Sequence, residues 1–145
     1  MNHFRGFYTV LLLSVLAACA PAAGRPAIVY SAATPDVISA ISQFGPQIQP
    51  GGAFNYMSIE TIGDRYITLS AAQTTGFQVL GALAGSDAST TIRVTVTVAP
   101  VGQDVAQVAI SSLPAGNSIA NSTADRVIAE LDKRFKRAGQ PQAAN

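Results

Sequence analysis

The sequence predicts an α+β fold, with an antiparallel sheet of about five strands and two helices on one face of that sheet. Residues 90–99 alternate between apolar and polar side chains, which is the strongest strand pattern in the chain. Residues 119–137 instead repeat their apolar side chains at helical spacing. The chain has 145 residues, of which 48% are hydrophobic and 12% are charged. This length and composition suit one folded domain and exclude a disordered chain.

The first elements of the domain are a short strand and a helix. Residues 27–31 form the strand candidate. Thr34 then supplies a hydroxyl cap, Pro35 stands where a missing amide is harmless, and Asp36 places an acid in the first turn. Gly45 and the proline after it end the helix. The buried stripe of this helix is predicted at Val37, Ile38, Ile41 and Phe44.

Two hairpins supply the other four strands. The first joins residues 54–61 to residues 65–72 through a Gly-Asp turn, and the second joins residues 90–99 to residues 104–113 through a Pro- and Gly-containing turn. Apolar side chains that share one face predict the buried side of the sheet. They are Ile67, Leu69, Ala71, Ile92, Val94, Val96, Val98, Ala106, Val108 and Ile110.

The last element is a helix over residues 119–137, capped by Asn117 or Ser118 and followed by Gly139. Its apolar stripe consists of Val127, Ile128, Leu131 and Phe135. Four cations crowd its last turns, namely Lys133, Arg134, Lys136 and Arg137. They suit the negative end of the helix dipole, and contact with anionic lipid headgroups is the alternative interpretation.

Residues 74–89 leave two interpretations open. This segment is apolar, rich in small residues and uncharged until Asp87. It is either a strand or short buried helix with a loop after it, or an apolar loop that touches lipid or a partner protein. The side chains of such an interaction loop would be Phe77, Val79, Leu80 and Leu83.

The chain begins with the pattern of a secretory signal peptide. Arg5 is followed by the uncharged residues 7–18, a stretch that is too short to span a membrane. The stretch closes with Leu16-Ala17-Ala18-Cys19, which resembles the lipobox of bacterial lipoproteins. That resemblance implies cleavage between Ala18 and Cys19, a diacylglycerol on the sulfur of Cys19, and an acyl group such as palmitate on its new amino terminus.

The lipobox resemblance also divides the chain and implies a location. Residues 1–18 are the signal peptide, residues 19–26 the lipidated tether, residues 27–137 the domain, and residues 138–145 a flexible tail. Alanine directly after the cysteine implies sorting to the periplasmic leaflet of the cell outer membrane rather than retention in the inner membrane. The membrane is therefore the first expected partner, contacted through the lipid.

Composition after residue 18 excludes most catalytic chemistry. His3 is the single histidine and Cys19 the single cysteine, so the mature chain has no His-based triad and no His- or Cys-ligated metal or haem. Of nine Lys and Arg residues Arg5 is removed, and the eight that remain equal the eight Asp and Glu residues. This balance is unlike a nucleic-acid-binding surface. Neither an enzyme, a cofactor nor a metal site is expected.

The order of elements is similar to the helix-grip domains of bacterial envelope lipoproteins, including those in the C component of the outer-membrane β-barrel assembly machinery. The resemblance rests on four parts of the chain, which are residues 27–31, the helix start at Thr34, residues 93–100 and the closing helix. It implies a noncatalytic domain that binds a protein partner or assists envelope assembly. The alternative is a lipid or small apolar ligand in a cavity between the sheet and the last helix. That cavity would be lined by residues such as Ile67, Leu69, Val94, Val96 and Leu131.

Overall fold

The computed structural model describes residues 25–83 and 91–139 and has the α+β fold that the sequence predicts. One antiparallel sheet has the strand order β1-β5-β4-β3-β2. The strands are β1 (Ile28–Tyr30), β2 (Ser58–Ile62), β3 (Tyr66–Ala72), β4 (Thr91–Gly102) and β5 (Val105–Leu113). The helices are α1 (Thr34–Phe44), α2 (Thr75–Leu83) and α3 (Ser118–Arg134). The signal peptide, Cys19 and residues 140–145 lie outside the described residues.

The alternation in β3, β4 and β5 directs one apolar set toward a single core, as predicted. All ten side chains of that set are buried, and they pack against the buried stripes of α1 and α3. The opposite side of the sheet carries mainly Thr, Ser and Ala side chains, among them Thr68 and Thr95, whose hydroxyl oxygens lie 3.1 Å apart. Two helices on one face therefore bury the apolar half of the sheet.

The start of α1 differs from the expected capping. Ala33 is the N-cap and provides no side-chain hydrogen bond, so the hydroxyl cap predicted at Thr34 is wrong. Within the described residues, the buried Thr34 hydroxyl has no hydrogen-bond partner. Pro35 still occupies the first turn, where its missing N–H costs nothing. The four residues predicted for the buried stripe of α1 are all buried, and a 3-10 turn over Gly45–Gln47 follows them.

The helix α3 starts as predicted but ends early. The Asn117 side chain accepts a hydrogen bond of 2.9 Å from the backbone N–H of Ala120, which confirms the predicted cap. The helix ends at Arg134 rather than Arg137, because Phe135 leaves the helical path and places its ring edge-on against Tyr30, with 6.4 Å between ring centroids. Gly139 is therefore not the residue that ends this helix.

The segment after Phe135 covers the free side of β1. The backbone N–H of Ser31 donates to the carbonyl of Lys136, and the N–H of Ala138 donates to the carbonyl of Val29, each at 2.8 Å. Tyr30 and Arg137 face each other as an isolated antiparallel bridge. Pairing with β1 thus orders the chain one residue past the predicted end of the domain.

The second hairpin turns later than its proline suggested. The strand β4 continues through Pro100 to Gly102, and its register against β5 shifts between these two residues. A proline has no N–H for the ladder, and such a shift is one of the few places where a strand accepts it. The tight turn therefore lies at residues 103–104.

The apolar segment over residues 74–89, for which the sequence leaves two interpretations open, forms the helix α2 as far as Leu83. The predicted strand is therefore wrong for this part, and the predicted apolar loop is wrong in its backbone conformation. Its three described apolar side chains at Val79, Leu80 and Leu83 are nevertheless exposed. Residues 84–90 and the Phe77 side chain lie outside what the structure describes.

Candidate functional site

The two ends of the sheet carry different parts of the chain, and each end is named after those parts. Pairing of Ile28 with Val108 and of Arg93 with Leu113 places the chain before β1 at the same end as the start of β4 and the end of β5. Ala72 pairs with Thr91, so β3 also finishes there, close to the start of α2. This is the tether end. The opposite end, with the β2–β3 and β4–β5 turns, is the hairpin end.

Arg25 attaches the N-terminal segment to α3. Its Nε donates to Asp125 Oδ1 at 2.9 Å, and its Nη2 donates to the carbonyl of Asn121 at 2.6 Å. The Arg25 side chain is 23% exposed and the Asp125 side chain 65% exposed. Arg25, predicted as part of the tether, therefore contacts the domain, which leaves residues 20–24 between it and Cys19.

The helix α2 presents apolar side chains at the tether end. Val79 is 54% exposed, Leu80 62% and Leu83 80%. The helix contains no acidic or basic residue, and in the part of the chain that the structure describes it has few contacts with the other helices and strands. Hydrogen bonds hold its base, because the Thr74 N–H donates to the carbonyl of Ala53 at 2.7 Å. The structure thus brings the three described residues of the predicted interaction segment together on one uncovered helix.

The four predicted headgroup-contacting cations lie at the hairpin end. Lys133 and Arg134 each form an ion pair of 2.6 Å with Glu130, and these cations lower the pKa of the Glu130 carboxyl. The Arg134 guanidinium also stacks 4.6 Å above the Phe44 ring. Lys136 is exposed and forms no ion pair within residues 25–83 and 91–139. Most of these charges are therefore satisfied inside the domain.

Arg137 belongs to a hydrogen-bond network with Asp132 and the buried Tyr30, which the sequence patterns did not reveal. Its Nε and Nη2 donate to the Asp132 carboxylate at 2.8 and 2.7 Å, and the Tyr30 hydroxyl donates to the same carboxylate at 2.9 Å. Burial of Tyr30, followed by its hydrogen bond to Asp132, raises the pKa of this tyrosine well above its usual value. The hydrogen bonds from Arg137 are the main cause of the lowered pKa of Asp132. This network fixes the end of α3 to β1.

The four cations at the end of α3 are called the cation cluster. They lie at the opposite end of the domain from Arg25. Asn121, which Arg25 contacts, is thirteen residues before Arg134 on the same helix. That separation is roughly 20 Å along a helix axis. A membrane surface that receives the tether beside Asn121 is therefore not the surface that the cation cluster faces, and headgroup contact by this cluster gains no support from its position.

A second exposed apolar surface follows the edge strand β2 and is called the edge surface. It consists of Ile59 and Ile62, which pair with residues of the buried face, and of the exposed Tyr56 and Tyr66, of which Tyr66 lies on the outer face. Within the described residues, β2 pairs only with β3, and every residue of β2 is exposed. Glu60 lies at a register shift of this strand and forms an ion pair of 2.7 Å with Arg93. Glu60 of the edge strand is thus linked by an ion pair to β4 across β3.

A groove adjoins the edge surface at the hairpin end. It lies between α1 and the β2–β3 turn and has a volume of about 580 Å³. Its walls include Pro35, Ile38, Ser42, Ile62 and Asp64. Separate local patterns predict the helix and the hairpin here, but no local pattern predicts that the two form a groove together.

No described feature supports the predicted ligand cavity between the sheet and the last helix. The five residues predicted to line it are fully buried and belong to one packed core cluster. Another depression, of about 400 Å³, lies between the end of α1 and the outer side of α3. It is lined by Phe44, Ile48, Arg126, Glu130 and Arg134 among others.

No protein-family model matches this chain, and no curated protein sequence matches it. Among the described helices, none is both long enough and apolar enough to cross a membrane. Within the same residues, no three His, Cys, Asp or Glu side chains gather as a group that could hold a metal ion. The features left for a functional argument are the edge surface with its groove, the uncovered helix α2, and the sequence motif at Cys19.

Proposed function

We propose that the protein is a noncatalytic lipoprotein of the bacterial envelope, held by lipid on Cys19 at the periplasmic leaflet of the outer membrane. Its domain binds another envelope protein, as an interaction or assembly accessory. The lipobox-like residues before Cys19 and the alanine after it support the location. The edge surface on β2 is the observation that supports protein binding.

An edge strand offers a partner backbone hydrogen bonds as well as side-chain contacts. An extended segment that pairs along β2 would add a sixth strand to the sheet, which is a common way to bind peptides. Tyrosine is enriched at protein interfaces, and Tyr56 and Tyr66 are both exposed beside this strand. The adjoining groove gives an apolar side chain of the partner a place to dock at Ile62.

The ion pair between Glu60 and Arg93 makes this edge selective. A register shift and a charge are the usual means by which an edge strand resists indiscriminate pairing. A partner strand must follow the register shift beside Glu60. It must also either leave the ion pair between Glu60 and Arg93 intact or replace it with contacts of its own. The same features disfavour a uniform apolar strand, so the partner is expected to be a segment with both apolar and polar side chains.

The lipid anchor is tested by the intact mass of the protein purified from membranes. The expected chain begins at Cys19 and has the added mass of a diacylglycerol and an acyl group. Replacement Cys19→Ala removes the acceptor sulfur, so no lipid mass is expected on this variant. A wild-type mature chain without lipid mass would contradict the proposed anchor.

Protein binding is tested by photocrosslinking in living cells. A photoreactive phenylalanine analogue at Ile62 is expected to give one discrete covalent adduct with another envelope protein, because Ile62 lies at both the edge surface and the groove. The matched control places the analogue at Gln107, which is exposed on β5, three strand positions away from β2. Equal adducts at both positions, or none at Ile62, would contradict binding at the edge surface.

A further inference from the structure

We propose that α2 is a second membrane contact, which inserts its apolar side chains into the leaflet that holds the Cys19 lipid. This inference rests on the lipid anchor proposed above. It goes beyond that anchor because it assigns a membrane-binding role to Val79, Leu80 and Leu83 and sets the orientation of the domain on the bilayer.

The first argument is the chemistry of the helix. Residues 66–86 contain no charged side chain, and the three apolar residues of α2 are each more than half exposed. A contiguous exposed apolar surface on a folded domain marks contact with a membrane or another protein. The helix α2 is too short to span a bilayer, but its exposed leucine side chains are of the kind that an interfacial helix buries at the boundary of the acyl chains.

The second argument is its position relative to the lipid. The described chain starts with Arg25 at the tether end, and α2 follows β3 at this same end. The strands β1 and β3 are three positions apart in the sheet, which is about 14 Å. Residues 19–24 can reach about 20 Å at most when fully extended. A leaflet that holds Cys19 is therefore within reach of α2.

The third argument favours a bilayer over a protein as the occupant. A protein interface surrounds its apolar centre with a polar rim whose hydrogen bonds fix the geometry. In α2 the polar side chain of Gln78 is already used, because it donates to the carbonyl of Gln73 at 2.9 Å. The helix has no charge for a partner to recognise. Apolar contact without directional bonds is what lipid tails provide.

The proposed contact also leaves the edge surface accessible. With the tether end against the leaflet, the groove at Ile62 and the β2–β3 turn face away from the membrane. The cation cluster at the end of α3 then faces the same aqueous side. This orientation agrees with the ion pairs that already satisfy Lys133, Arg134 and Arg137 within the domain.

The test uses the complete lipidated protein in vesicles of phosphatidylethanolamine and phosphatidylglycerol. A free thiol is introduced by Leu80→Cys or Leu83→Cys and labelled with a polarity-sensitive fluorophore, since the sulfur of Cys19 is occupied by lipid. The matched control is Val101→Cys at the hairpin end, where the native side chain is 54% exposed. Lipids with a quencher on the acyl chain are expected to more than halve the emission at positions 80 and 83 and to leave position 101 unchanged.

A second variant separates insertion from mere proximity. Leu83→Lys in the Leu80→Cys protein is expected to abolish quenching at position 80, while the lipid on Cys19 keeps the protein on the vesicles. Unquenched labels at both α2 positions on vesicle-bound, lipidated protein would overturn the inference and leave the proposed anchor intact. Quenching or burial of the labels that needs an added envelope protein would overturn it in favour of a protein partner. An intact mass without lipid would overturn the anchor and the inference with it.

Discussion

The helices α2 and α3 show that apolar content alone does not decide whether a helix is buried. The helix α2 is uncharged and more hydrophobic than α3, yet within the described residues it has few contacts with the other helices and strands. The helix α3 is polar on average, yet Val127 and Leu131 are fully buried against the sheet. The small and apolar side chains of α3 lie on one stripe that packs against β4, β5 and α1.

The outer sides of these two helices differ in the same sense. On α3, charged side chains form ion pairs along the helix, such as Arg134 with Glu130 at 2.6 Å. On α2, leucine and valine occupy the exposed positions instead. One helix is therefore adapted to water on one side and core on the other, whereas the second has a surface that suits an apolar environment.

The largest expected difference between the helices is in stability. Leu131→Ala removes a fully buried side chain from α3 and is expected to lower the free energy of unfolding by about 2–5 kcal/mol. Leu80→Ala removes the same atoms from an exposed site on α2 and is expected to change it by less than about 0.5 kcal/mol. Urea unfolding followed by circular dichroism in detergent measures both. Equal losses would contradict the contrast between the helices.

The next largest effect concerns the network that fixes α3 to β1. Tyr30→Phe removes the hydrogen bond to Asp132 and is expected to cost about 1.5–3 kcal/mol near neutral pH, because the acceptor is charged. Folding raises the pKa of Tyr30, so the folded state holds this proton more tightly than the unfolded state. The stabilisation is therefore complete below the ordinary tyrosine pKa of about 10 and is lost as the pH rises above it.

Unfolding at a series of pH values tests this linkage. Above about pH 10 the wild-type protein is expected to lose stability more steeply than Tyr30→Phe, which has no phenol to titrate. Parallel curves for the two proteins would show that Tyr30 does not contribute to alkaline destabilisation. The lowered pKa of Asp132 has the opposite sign, so its contribution is lost as the pH falls below the usual range of aspartate.

A smaller effect is expected at the start of α3. Asn117→Ala removes the side-chain oxygen that accepts from the Ala120 N–H, and is expected to lower the free energy of unfolding by about 1 kcal/mol. Asn117→Asp keeps an acceptor at this position and is the matched control. The urea midpoints of both variants measure the cap, and a full loss in the aspartate variant would indicate a different role for Asn117.

The smallest effect is expected on the outer side of α3. Lys133 is 68% exposed where it pairs with Glu130, and Arg134 still pairs with that carboxylate when the lysine is replaced. Lys133→Ala is therefore expected to leave thermal unfolding unchanged within error, at low and at high salt. A clear loss at low salt would show that the ion pairs at this end of α3 contribute more than exposed pairs usually do.

Much of the fold was predictable because its patterns are strong over short distances. The buried faces of β3, β4 and β5, the stripe of α1 and the Asn117 cap follow from residues that are close in sequence. The cap at Thr34 was predicted wrongly, since a hydroxyl before a proline does not itself decide which residue starts the helix. The surface on α2 was recognised as apolar, but its helical conformation was one of several that the same residues allowed.

The candidate surfaces depend on contacts that no local pattern contains. The exposed side chains of β2 form an edge surface because the sheet ends there, and the groove at Ile62 needs α1 to lie beside the β2–β3 turn. Likewise, α3 ends at Arg134 because Phe135 finds Tyr30, which is more than a hundred residues earlier in the chain.

The sequence by itself determined the α+β class, the apolar face of the sheet and the motif from which lipidation of Cys19 is predicted. These follow from side-chain periodicity and from four consecutive residues, which act without reference to distant parts of the chain. Only the tertiary structure decided which strand is the open edge, which helix is uncovered, and that Arg25 and α2 share one end of the domain. Strand order and register set these relations, and both arise from pairing between residues far apart in sequence.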